Sequence, residues 1–228
     1  MAIQLPPSYQ RIVAQLKNIE WRHYFLIRQL KSEMGMNLTE EVLLKADPQQ
    51  HFKIGPFPLE DYPPGDEQAA QLVRLTALTL RSEAAFISSL FQNSGLDEKS
   101  LLELCSTASM DIGQTFASNL KNEGVTIGPG FSGMASAIEM TFFDGLPEST
   151  HSLVSIQKER VLQIERLLNP FLPAWNALNA PLSALETIQN ATLFGFIRYF
   201  VPWAISEVSA SANTPSYDRF SIQSSTGK

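Results

Sequence analysis

Residues 125–136 read VTIGPGFSGMAS, and within them GPGFSG, residues 128–133, fits G-x-G-x-x-G, the loop that cradles a dinucleotide pyrophosphate. Taken as that loop, the stretch would make the chain α/β. The motif works only where a strand delivers the chain to a tight turn and a helix then points its first N–H groups at the anion. A second strand must also end in an acidic residue about 20 residues on. The surroundings fail this requirement. Only Val125 to Ile127 reads as strand before the loop, and Glu148, which stands at the right distance, follows Gly145-Leu146-Pro147 with no room for a strand. Gly128, Gly130 and Gly133 therefore predict a helix-to-helix connection whose glycines accept unusual backbone angles. Their backbone amides, just before a helix start, are a candidate anion pocket.

Outward from this loop the pattern is helical in both directions. Ile12, Leu16, Ile19, His23, Leu26, Leu30 and Met34 recur at spacings of three and four between Pro6-Pro7 and Gly35, which predicts a first helix of about seven turns. Asn37 followed by Glu40 is a capping-box-like start to a short second helix. Residues 67–93 are apolar on most of a helical circumference, with Val73, Ala77, Leu80, Ala84, Ile87 and Phe91 on one stripe, so this helix is expected in the middle of a bundle. Gly95 ends it, and Asp97 caps a fourth helix running to Gly124. After the glycine loop the pattern predicts a short helix over MASAIEMTFFD and a longer one from about Pro147 to Leu168. A last long helix follows Ala180-Pro181 and is expected to kink at Pro202. The expected fold is all-α: one helical domain over 1–208, about seven helices, and a polar, poorly ordered tail over 209–228.

Two features interrupt or bound this picture. Residues 47–66 carry five prolines and two glycines, a long irregular connection of the kind that serves as a lid or binding segment. The most apolar run, LFGFIRYFVPWAI at 193–205, contains Arg198 and is shorter than the roughly 20 residues that span a bilayer. No transmembrane segment is expected.

Composition narrows the function classes. With 17 basic and 23 acidic residues the net charge is −6, and the basic residues are scattered, so nucleic acid is not an expected partner. Cys105 is the single cysteine and cannot form an intrachain disulfide. The N-terminal MAIQLPPSYQ lacks a signal-peptide pattern, and together these predict a cytoplasmic protein. G-x-S-x-G, a Walker loop and Cys-x-x-Cys are missing. Cys105 itself has no basic neighbour and reads as a buried, inert thiol.

Two constellations carry the remaining chemistry. Glu20 and His23, and again Glu148 and His151, form Glu-x-x-His pairs. That spacing puts both side chains on one helix face, and two such pairs plus lone glutamates hold a di-iron or di-manganese centre in helical bundles. Glu83 and Glu139 are the candidate lone carboxylates. The pattern departs from that of di-metal bundles, because no acidic residue precedes Glu20 and because Glu148 sits beside Pro147. The second constellation is Arg74, Arg81 and Glu83 on the most apolar helix. Charges there must be paired or line a cavity, so these three, with Gly128, Gly130 and Gly133, are the candidate ligand-binding residues. Aromatic faces at Trp21 with Phe25, and at Phe194, Phe196, Tyr199, Phe200 and Trp203, suit an apolar ligand, a core or an interface.

The leading expectation is a non-catalytic helical protein that binds an apolar or amphipathic small molecule or a protein partner. An oxygen-activating iron or manganese enzyme is the alternative. An assembly factor that forms a homo-oligomer through the Trp21 or Trp203 face is the third reading.

Overall fold

The computed structural model describes residues 5–48, 59–128, 130–146, 152–158, 161–166, 169–208 and 218–224. Among them are seven α-helices: α1 (Pro7–Met34), α2 (Met36–Ala46), α3 (Asp66–Asn93), α4 (Glu98–Asn122), α5 (Met134–Thr141), α6 (Leu172–Ala177) and α7 (Leu182–Phe200). The fold is the expected all-α, multi-helix one, with a small sheet added. The chain divides into two compact units, Met1–Ala108 with Phe171–Ile188, and Ser109–Pro170 with Gln189–Lys228.

In the first unit α3 is the hub, with α1, α2 and α6 packed against it. The stripe predicted on α1 is the one that faces inward: Ile12, Leu16, Ile19, Leu26 and Leu30 are all buried. Pro7 occupies the first turn, where its missing N–H costs nothing, and Gly35 stops the helix at φ 87°. The α3 circumference is more divided than its composition suggests. Leu72, Leu75 and Leu80 are buried while Val73 and Ala77 are exposed, and only from Glu83 to Leu90 is the helix buried all round. The capping box expected of Asn37 and Glu40 does not form. Gly35 occupies the cap position of α2, and the Thr39 hydroxyl turns back to donate to the Gly35 carbonyl at 3.0 Å.

Half of the proline-rich connection, residues 49–58, lies outside the described residues. Its end is a single 3-10 turn, Leu59–Asp61. The amide of Gln68 pins it to α3, donating to the carbonyls of Leu59 at 3.3 Å and Tyr62 at 3.2 Å.

The second unit contains the main departure from expectation. The helix predicted over about 147–168 is instead a hairpin of β1 (Ser152–Lys158) and β2 (Val161–Arg166), paired antiparallel from Ser152↔Arg166 to Lys158↔Val161. The segment SLVSIQKERVLQIER has apolar residues spaced both three apart and two apart, so either period fits. Its β-branched Val154, Ile156, Val161 and Ile164 favour the extended form. Strands β3 (Ala204–Val208) and β4 (Asp218–Ser224) complete a four-stranded antiparallel sheet of order β1-β2-β4-β3. Strand β4 thus lies within the tail expected to be poorly ordered. Pro202 ends α7 rather than kinking it: the helix stops at Phe200, the chain turns, and β3 begins at Ala204. A proline lacks the N–H that would continue the helix and disfavours helical angles in the residue before it.

The glycine loop joins α4 to α5, as a helix-to-helix connection should. Gly128 donates its N–H to the Ser132 carbonyl at 3.0 Å, Gly130 sits at φ 69°, and Gly133 caps α5 at φ 81°. No strand precedes it among the described residues.

Candidate functional site

The charged residue on the apolar hub helix finds its partner on α1. Glu83 is 0% exposed and Arg22 is 5% exposed. Arg22 donates through Nε to Oε1 of Glu83 at 2.7 Å and through Nη2 to Oε2 at 2.6 Å, the parallel two-bond geometry that a planar guanidinium offers a carboxylate. The ring of Phe171 lies 5.3 Å from the guanidinium carbon and closes its face. Beside the pair, His23 stacks on Phe86 at 5.2 Å between ring centroids, with the Ser82 hydroxyl 3.4 Å from Nδ1.

Burial governs the electrostatics of this cluster. Burial holds the His23 imidazole below its ordinary pKa; Glu83 pulls the other way and Arg22 adds to the depression. Burial, reinforced by the Glu83 charge, pushes the Cys105 thiol up to about 12, so it is protonated throughout the physiological range. Both Glu83 oxygens are engaged by Arg22.

The ligand-binding candidates separate. Glu83 is in the buried cluster, whereas Arg74 and Arg81 are exposed on α3 and do not share its environment. Gly128 and Gly133 are exposed in the second unit. Of the metal candidates, Glu20 and His23 lie on α1, Glu83 is paired with Arg22, and Glu139 is exposed on α5 of the second unit. Glu148 and His151 lie outside the described residues. Among the described residues no group of three or more His, Cys, Asp or Glu side chains could hold a metal ion. Partial burial raises the Glu20 carboxyl, against the lowering effect of Lys17.

Sequence reasoning missed Arg22 as the partner of Glu83, because no local spacing links residues 61 positions apart. It also missed Tyr24. On α1 the side opposite the core carries Lys17, Trp21, Tyr24, Arg28 and Lys31, every one of them exposed. Their spacings of four, three, four and three keep them within an arc of about 80°. Trp21 is 54% and Tyr24 57% exposed. Their rings meet edge to face at 6.0 Å, and Phe25 extends the cluster at 5.8 Å from Trp21 and 6.0 Å from Tyr24. The signal was present in the sequence, since the stripe shares no position with the apolar one that predicts α1.

Among the described residues no helix is long and apolar enough to cross a membrane. No protein-family model matches the chain, and no curated protein or solved structure matches it at a significant level.

Proposed function

We propose that this chain is a non-catalytic binding protein that docks a protein partner on the outer face of α1. The observation that carries this reading is the ring cluster of Trp21, Tyr24 and Phe25, whose two outer members are each more than half exposed. Tryptophan and tyrosine are the residues most enriched where protein partners meet, because each offers a large rigid apolar surface with a polar edge. Of the two occupants expected from sequence, a small molecule and a partner, this geometry favours the partner. The face is the exposed side of a single helix, whereas small molecules are held in concave sites. The absence of catalysis is supported by the mutual neutralisation of Arg22 and Glu83 and by the protonated Cys105 thiol. A single buried thiol also suits the cytoplasm, the compartment proposed for the protein.

A photo-crosslinking amino acid placed at position 24 tests this in cells. Irradiation should give a discrete protein adduct that is lost when Trp21→Ala is added and is not formed from position 103 on the exposed surface of α4. If position 24 gives no adduct beyond that seen from position 103, the docking reading fails.

A further inference from the structure

The charge around the aromatic cluster identifies the partner's chemistry. Five of the chain's 17 Lys and Arg residues fall in α1, against only two of its 23 acidic residues. Arg22 is buried against Glu83, but Lys17, Arg28 and Lys31 are exposed on the same stripe as Trp21 and Tyr24. No acidic residue of α1 lies on that stripe, since Glu33 points to another side of the helix, but two carboxylates border it: half-buried Glu20 beside Lys17, and Glu40 of α2, 4.0 Å from Lys31. Three basic residues against two bordering carboxylates leave this aromatic strip, about 21 Å long, net basic on a protein of net charge −6.

We infer that the α1 face docks an acidic amphipathic segment of a partner protein, its apolar side chains on Trp21 and Tyr24 and its carboxylates against Lys17, Arg28 and Lys31. The inference rests on the docking role proposed for this face and adds the sign of the partner's charge. Complementary charge at the rim of an aromatic contact sets partner choice and speeds encounter more than it adds affinity. An anionic membrane or nucleic acid would also meet the basic residues, but each extends well beyond the strip. Each would also bring its charge up to Glu40, which stands 4.0 Å from Lys31 and so within the screening length of about 8 Å. A short segment can set its few carboxylates on the basic residues and its apolar side chains on Trp21 and Tyr24, which a uniformly anionic surface does not offer.

A phage-displayed random peptide library selected on the purified full-length protein tests this. The selected peptides should be rich in Asp and Glu interspersed with apolar residues. Their binding should weaken with added salt and fall by about tenfold or more in the Arg28→Glu/Lys31→Glu variant, and by a similar factor in Trp21→Ala/Tyr24→Ala. Circular dichroism checks that both variants keep the wild-type helical signal. Peptides that need Trp21 and Tyr24 but show no acidic bias and ignore the charge reversal would overturn the inference and leave the docking face standing. Peptides indifferent to Trp21 and Tyr24 would remove both. Sedimentation with phosphatidylserine vesicles through the same residues, without selection of acidic peptides, would reassign the face to membranes. A dimer by light scattering that Trp21→Ala dissociates would reassign it to a second copy of the chain.

Discussion

Arg22 and Glu83 join α1 to α3 through two parallel hydrogen bonds of 2.7 and 2.6 Å, with neither side chain more than marginally exposed. Two charges brought out of water cost several kcal/mol each, and their attraction recovers that cost only while both are present. Removing one partner is therefore the damaging change. Glu83→Gln or Arg22→Met is expected to lower stability by about 3–5 kcal/mol, while the joint replacement Arg22→Met/Glu83→Leu should restore most of it. Urea unfolding of the three variants checks this. Single variants within about 1 kcal/mol of wild type would mean that the pair is solvated rather than buried.

His23 sits beside that pair, and its pKa is depressed below the ordinary 6.5, chiefly by burial. The unfolded chain then takes up a proton at higher pH than the folded one, so in the window below pH 6.5 stability falls with falling pH. Above that window the contribution is constant, and below the folded-state value it is constant again. Glu20, whose carboxyl is raised, acts in the opposite sense and only near the carboxylate range. His23→Phe keeps a ring against Phe86 and removes the proton. It should flatten the dependence of the urea midpoint on pH between neutrality and mild acid. A wild-type slope retained in that variant would assign the effect to another group.

How far the sequence could be read follows the range of each interaction. Several local devices were legible, although the capping box expected of Asn37 and Glu40 does not form and Pro202 ends its helix instead of kinking it. Pro7 and Gly35 bound α1, and Asp97 caps α4 by accepting from the Ser100 N–H at 3.0 Å, because proline, glycine and a capping carboxylate act within a few residues. The segment 152–166 was not. Its apolar spacing fits both periods, and the choice is made by pairing β2 to β4, with Val161 opposite Gln223, a contact no local window contains. Glu83 could be read as buried from the apolar run around it, but nothing local distinguishes Arg22 from the other arginines as its partner. The outer face of α1 was half legible: Trp21 and Phe25 stood out as aromatics, whereas the basic residues in register with Trp21 and Tyr24 emerge only once the buried face is known.

Cys105 is buried on α4 and its thiol is pushed up to about 12. Thiolate is the reactive form, so the native protein should resist labelling by a disulfide reagent at pH 8 and react stoichiometrically once unfolded in guanidinium. Rapid native labelling would mean that this part of the first unit opens readily.

Within the second unit the backbones of α4 and α7 touch at two glycines. A Cβ on Gly113 would collide with the Thr192 carbonyl oxygen and stand 2.7 Å from the Phe196 nitrogen, and one on Gly195 would collide with the Met110 carbonyl oxygen. All of these obstacles are main-chain atoms, so no rotamer change relieves them. In an open helix, alanine in place of glycine stabilises by about 0.5–1 kcal/mol; at these two positions the sign should reverse. Gly113→Ala and Gly195→Ala are each expected to cost at least about 1–3 kcal/mol, as an overpacked core does, and the double variant should cost less than the two singles together, because the first substitution already separates the helices. Thermal or urea midpoints decide it. If either alanine variant is as stable as wild type or more so, α4 and α7 do not approach as closely as their glycines allow.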